Sequence, residues 1–256
     1  MLERDWPVPS GVNIAMTDRH GGVSLAPYDS LNLGVHVGDD VKRVQANREL
    51  LSQTLQLPNP PVWLEQVHGT HVHVISTAPC SIKSASQNLH IDSASIPIAD
   101  GSYTQQRGQV CAVMTADCLP ILLCNRAGTE VSALHAGWRG LCDGIIEQGV
   151  AQFTSTAEQL VAFLGPAIGP LAFEVGAEVR HAFLAKHPQA VAHFSAKGDK
   201  YLADLEGLAT MRLSLLGVTE VYCANTCTFS SSDYFSYRRD HVTGRLASLI
   251  WLDERI

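Results

Sequence analysis

Ala116-Asp117-Cys118-Leu119-Pro120, an apolar run, and then His135-Ala136-Gly137-Trp138-Arg139-Gly140 form the stretch on which the fold turns. Leu119–Cys124 and Glu130–Leu134 are short, apolar and bounded by turn residues, so they read as adjacent buried strands. That reading sets Cys118 and His135 at strand ends, where a scaffold presents reactive groups. Arg139 follows at the predicted start of a helix over Trp138–Phe153, with Ile145, Ile146 and Val150 on one face.

Working outward, Gln109–Met114 is a third buried strand, and Val62–Gln66 and Thr70–Ile75 are strands flanking His68-Gly69. Upstream lie a strand at Gly11–Met16, shaped loops over 17–39 and a helix over Asp39–Leu57 that Pro58 stops. Residues 76–95, rich in Ser, Ala and Asn, predict an exposed excursion. Downstream come a strand at Leu160–Leu164, the Gly/Pro corner 165–170, and helices over Glu174–Ala185 and Leu202–Leu216. Strands at Val218–Ala224 and Leu246–Trp251 flank the polar stretch Ser230–Arg239. Strands and helices mix without a steady βα repeat, which predicts one α/β (α+β) domain over 1–256, a mixed sheet flanked by helices.

Composition bounds the function. With 256 residues, 46% hydrophobic and 17% charged, the chain can bury a sizeable core. A net charge of −7 argues against nucleic-acid binding, and a few local arginines still suffice for a small phosphate-bearing substrate. The start lacks the charged-then-apolar pattern of a secretory signal, and no apolar run reaches a membrane span. The 7 cysteines, at 80, 111, 118, 124, 142, 223 and 227, include no CxxC pair, so reduced thiols in a cytoplasmic protein are expected.

His68, Cys118 and His135 offer two imidazoles and a thiolate, a set that suits catalytic zinc with a fourth position open. The same atoms permit a second chemistry: Cys118 as a nucleophile activated by His135, with Asp117 or another carboxylate orienting the imidazole. The two readings compete for one sulfur. A purely structural zinc is disfavoured because such sites usually have four protein ligands. Arg48, Arg139, Arg238 and Arg239 are candidate anion binders, and His36 could line a pocket. His71 and His73 alternate along a strand and would share one face, while 165–170 lacks the spacing of a phosphate loop. Cys223 and Cys227 have too little support to join the site.

Six ordered motifs resemble the YfiH-type family, long labelled laccase-domain or multicopper polyphenol oxidase proteins. They are Asn32-Leu33-Gly34 with His36-Val37-Gly38-Asp39, Gln66-Val67-His68-Gly69, Ala116–Pro120, His135–Gly140, Leu164–Pro170 and Ser236-Tyr237-Arg238-Arg239-Asp240. The resemblance covers nearly the whole chain. It implies a single mixed-sheet domain, distantly like cysteine-hydrolase toxin domains, with zinc on His68, Cys118 and His135.

It further implies phosphorolysis of adenosine, inosine or methylthioadenosine, and deamination of adenosine, with a nucleoside and phosphate as partners. Catalysis would fall to His68, Cys118, His135 and Asp117, with Arg48, Arg139, His36 and Arg238 on substrate and phosphate. Peptidoglycan-precursor editing and copper-dependent polyphenol oxidation are the alternatives. Where many members carry paired cysteines, this chain has Leu171 and Ala172, which speaks against several coppers; His241 stands where glycine is common. No residue identifiable from sequence reads the base or sets an oligomeric state.

Overall fold

The longest buried strands carry apolar side chains on both of their faces, and those two faces belong to different cores. The computed structural model describes residues 1, 5–76 and 96–254. In order these form β1 (Val12–Met16), α1 (Val41–Thr54), β2 (Val72–Val74), β3 (Gly101–Thr104), β4 (Val110–Thr115), β5 (Leu119–Asn125) and β6 (Val131–Ala136). Then follow α2 (Trp138–Asp143), α3 (Ile145–Val150), β7 (Leu160–Leu164), β8 (Glu174–Val175), α4 (Ala177–Lys186), β9 (Phe194–Lys197) and β10 (Lys200–Ala203). α5 (Leu205–Leu216), β11 (Glu220–Cys223), α6 (Tyr237–Asp240) and β12 (Leu246–Leu252) complete the chain.

A six-stranded mixed sheet, ordered β11-β7-β5-β6-β3-β2, lies at the centre. Its end pairs, β11 with β7 and β2 with β3, are parallel, and its inner pairs are antiparallel. One face of the sheet packs Leu119, Ile121 and Leu123 against Leu141, Ile145, Phe183 and Leu208 of the helices. The opposite face packs Leu122, Cys124 and Phe163 against Cys111, Val113 and Ile250 of a second sheet, β1-β12-β4. That sheet's outer face, with Ala112, Leu249 and Trp251, is covered by Leu51 of α1. The period-2 alternation of strands therefore serves two cores at once, which is why β4 and β5 read as continuous apolar runs.

The predicted α/β class holds, with local differences. The helix expected over Trp138–Phe153 is two short helices, because Gly144 adopts φ +114 and closes α2 with an N–H bond to Gly140 O. The helices expected from Glu174 and Leu202 begin at Ala177 and Leu205. Their first predicted turns instead belong to a small sheet, β8-β10-β9, and Asp204 caps α5 by accepting from Gly207 N.

Val62–Gln66 is not a strand; its strand-like pairing is limited to isolated bridges, Val62 to Cys111 and Glu65 to Ile98. There the Gln66 side chain takes the place of a paired strand, donating to Met114 O and accepting from Met114 N, each at 2.8 Å. His71 lies one residue before β2 and is exposed, and His73 within the strand is half-buried. The excursion predicted over 76–95 lies, from 77 onward, outside the described residues, as does Cys80.

Candidate active site

Strand register brings the first two candidates together. β5 and β6 pair antiparallel with Leu119 opposite Ala136 and Pro120 opposite His135, so Cys118 falls beside the end of β6. Gly137 lies between the side chains: a Cβ there would stand 2.8 Å from His68 Cδ2 and 3.1 Å from Cys118 Sγ. Gly140 serves the same neighbourhood, since a Cβ on it would meet Gly69 O at 2.7 Å. These approaches explain the glycines of the 135–140 motif.

His68 arrives on the loop after Gln66, in the left-handed backbone region at φ +61, a conformation uncommon for a non-glycine residue. Its Nε2 is 3.9 Å from Cys118 Sγ, and its ring meets that of His135 edge-on with centroids 4.8 Å apart. Donor atoms of His68, Cys118 and His135 all lie within 4.8 Å of one another, and among the described residues no other such cluster occurs.

A residue that the sequence reading missed supports all of this. Asp100, wholly buried just before β3, accepts from the backbone N–H groups of Val67, His68 and Gly69 at 3.2, 2.9 and 2.6 Å. Its Oδ1 also lies 2.8 Å from His135 Nδ1. The orienting carboxylate is thus Asp100, not Asp117. Asp117 is engaged elsewhere, accepting from the Thr228 hydroxyl at 2.6 Å and from Arg238 N at 2.8 Å.

Burial alone would raise the Cys118 thiol, but the charge and hydrogen bonds of His135 and His68 outweigh it and bring its pKa well below the ordinary value. Burial works against an imidazolium at His135, yet Cys118 and Asp100 push its pKa up. Asp100 itself is raised by burial and drawn down further by His135 and the Gly69 N–H, ending below the usual carboxylate range. Two imidazoles and a polarised thiol with a carboxylate behind one imidazole fit a borderline-soft divalent metal of the zinc or copper kind.

The trio opens into a cavity of about 530 Å³ whose wall also includes His36, Asp117, Trp138, Arg139, Arg238 and Arg245. Arg139 lies over the Trp138 ring at 4.5 Å and Arg238 over Phe173 at 5.4 Å, so each guanidinium is steadied by an aromatic face. Arg238 also donates to Glu174 O at 3.0 Å. Arg245, a second residue missed in the sequence, donates through Nη1 to Thr243 O and Gly244 O.

The Asn32-Leu33-Gly34 motif serves that arginine. Asn32 Oδ1 accepts from Arg245 N at 2.9 Å, and a Cβ on Gly34 would meet Arg245 Cγ at 2.7 Å. Burial, then Arg245, then Arg48 pull the His36 pKa below its ordinary value.

Other candidates lie off the cavity. Arg48 does not line it; its guanidinium binds Leu33 O and lies 4.1 Å over Trp63. Arg239 is a structural clamp, donating to Thr228 O, Phe229 O, Ser231 O and Tyr234 O and pairing with Asp240. Cys227 accepts from Gly169 N at 3.2 Å beside a separate cavity, and Cys223 joins neither the trio nor the main cavity. No helix among the described residues is long and apolar enough to cross a membrane.

The chain is 52% identical over 253 residues to the purine nucleoside phosphorylase YfiH of Escherichia coli (strain K12), covering 98% of each chain. It is 46% identical over 256 residues to a purine nucleoside phosphorylase of Haemophilus influenzae, covering 98% of this chain and 99% of that one. A crystal structure of a Neisseria meningitidis protein, 45% identical, superposes with a TM-score of 0.87 over 97% of each chain. YlmD from Geobacillus stearothermophilus, 32% identical, also gives 0.87, over 97% of this chain and 94% of that one. A family model described as multi-copper polyphenol oxidoreductase laccase matches residues 13–253. Despite that description, one His/Cys cluster is what the described residues assemble. The chain belongs to this laccase-labelled family, which it shares with YfiH.

Proposed function

We propose that residues 1–256 act as one domain that catalyses phosphorolysis of purine nucleosides (adenosine, inosine or methylthioadenosine) and deaminates adenosine, with zinc held by His68, Cys118 and His135. The observation that carries this reading is the meeting of a metal-competent trio with Arg139, Arg238 and Arg245 around one cavity. The relatives named as purine nucleoside phosphorylases supply the substrate class. When bound, zinc would contribute a Lewis acid on which both reactions draw, and a water of lowered pKa for deamination of a purine ring carbon.

The chain's own residues hold the two substrates of phosphorolysis. Arg139 and Arg245 hold phosphate against the ribose, with Arg238 at the rim, and His36 adds a hydrogen bond. A phosphate oxygen forms a bond to the ribose anomeric carbon as the bond to the purine nitrogen breaks. The electron pair leaves with the base, which takes up the proton that the phosphate gives up, giving free purine and ribose 1-phosphate. Trp138, Phe173 and Tyr237 give the cavity aromatic surface for the nucleoside. Asp117, with both carboxylate oxygens engaged, positions the start of α6 and with it Arg238.

Incubation of metal-loaded protein with adenosine and phosphate is expected to yield adenine, some inosine, and ribose 1-phosphate equal in amount to the total free purine base. Absence of all three rejects the proposal.

A second reading is favoured by the Cys118–His135–Asp100 arrangement, in which a lowered thiol pKa faces an oriented imidazole. That arrangement suits a cysteine nucleophile acting on an amide, such as a peptidoglycan precursor. It predicts activity that survives chelation of metal and is abolished by iodoacetamide, whereas the phosphorylase reading predicts loss on chelation.

A further inference from the structure

Among the described residues, the carboxylate of Asp100 alone joins the two histidine-bearing segments of the trio through hydrogen bonds to both. Its Oδ1 is shared between His135 Nδ1 at 2.8 Å and His68 N at 2.9 Å. Its Oδ2 is shared between Gly69 N at 2.6 Å and Val67 N at 3.2 Å. Its backbone continues the connection, with Asp100 O accepting from His135 N at 2.7 Å and Asp100 N donating to His71 O at 2.9 Å. The side chain is fully excluded from solvent.

We propose that Asp100 is the positioning residue of the metal centre, fixing His135 with Nδ1–H toward the carboxylate and Nε2 toward the ion, and holding the 67–69 loop so that His68 faces the same point.

Two requirements meet in this one group. A histidine ligand needs its non-ligating nitrogen tied to an acceptor, which sets tautomer and ring orientation. A loop with His68 at φ +61 needs its backbone N–H groups satisfied where no strand pairs with it. An acceptor-only carboxylate answers both, because all its partners are donors. An amide cannot, since its NH2 would face N–H groups of the loop or the imidazole. The packing leaves little slack: a Cβ on Gly69 would stand 3.4 Å from Asp100 Oδ2. The inference rests on the metal reading of the trio and is independent of which substrate the cavity takes.

The test compares wild type with Asp100→Asn and Asp100→Glu, using zinc affinity by competition with a chromophoric chelator and the visible spectrum of the cobalt-substituted proteins. Thermal unfolding of each protein runs alongside. Zinc affinity is expected to fall about 10–100-fold in Asp100→Asn, with an altered cobalt spectrum, and to recover in part in Asp100→Glu. Wild-type affinity and spectrum in a folded Asp100→Asn protein would overturn the proposal, even if its Tm fell, because that pattern marks a purely structural role.

Should the variants fail to fold, nitrogen NMR of histidine-labelled, metal-loaded wild type decides the matter. Nδ1 of His135 is expected to carry the proton while Nε2 ligates; ligation through Nδ1 overturns the proposal. These readouts contain no nucleoside, so a failed phosphorolysis assay with intact metal behaviour rejects only the substrate assignment.

Discussion

His68 Nε2 lies 3.9 Å from Cys118 Sγ across a separation of 50 residues, and the gap is held open by the missing side chain of Gly137. Gly137→Ala is therefore expected to separate the trio. The added Cβ, 2.8 Å from His68 Cδ2 and 3.1 Å from Cys118 Sγ, leaves the sheet and helices in place but displaces two proposed ligands. Zinc affinity should fall at least about tenfold while far-UV circular dichroism stays that of the wild type. Unchanged affinity would show that the ion does not rest on these atoms.

The arginines divide by location. Arg245→Ala and Arg139→Ala each remove a cation from the cavity wall, and the KM for phosphate is expected to rise roughly tenfold or more, as for loss of a charge-assisted hydrogen bond of about 1.5–3 kcal/mol. Arg48→Ala removes the bonds to Leu33 O and the packing on Trp63, so it should lower Tm and leave the phosphate KM within about twofold. Steady-state kinetics with varied phosphate, paired with thermal melts, separate the two outcomes.

Much of the architecture was legible from patterning, and much of the site was not. Runs such as Leu119–Cys124 announce strands by their length and flanking turns, but only tertiary packing tells which of Ile121 and Leu122 faces helices and which faces the second sheet. Gly144 sat inside a helical pattern, and its left-handed backbone, not any loss of periodicity, splits the helix. His68, Cys118 and His135 were readable as two imidazoles and a thiolate beside predicted strand ends, and the family resemblance implies the same three.

Asp100 was missed because its partners are backbone N–H groups and one imidazole, none of which leaves a spacing signal. Its position just ahead of Gly101 and a strand is the only local hint. Arg245 was missed for the same reason, since Asn32, which supports it, lies at the other end of the chain.

Glu130 supplies a pH-dependent part of the stability. It is 2% exposed and accepts from the Tyr103 and Ser155 hydroxyls, both at 2.6 Å, and from Thr154 N at 2.7 Å. Burial raises its pKa, but these donors, Ser155 first, outweigh it and pull the carboxyl from about 4.5 down to about 2. A carboxyl depressed in the folded state stabilises fully above its unfolded pKa, and the contribution drains away as pH falls from about 4.5 toward 2. The stake is on the order of 3 kcal/mol. Wild-type Tm should thus drop more steeply than that of Glu130→Gln between pH 5 and pH 3 (roughly the window in which an unfolded glutamate takes up its proton). Parallel melting curves would remove Glu130 from this role.

The central claim is that His68, Cys118 and His135 hold one zinc on which turnover depends, and metal analysis of purified protein alongside His68→Ala and Cys118→Ser tests it most directly. About one zinc per chain is predicted in wild type, as a three-ligand catalytic site holds, with zinc and phosphorolysis lost together in both variants. Several coppers per chain, or full activity in a variant stripped of metal, would contradict it.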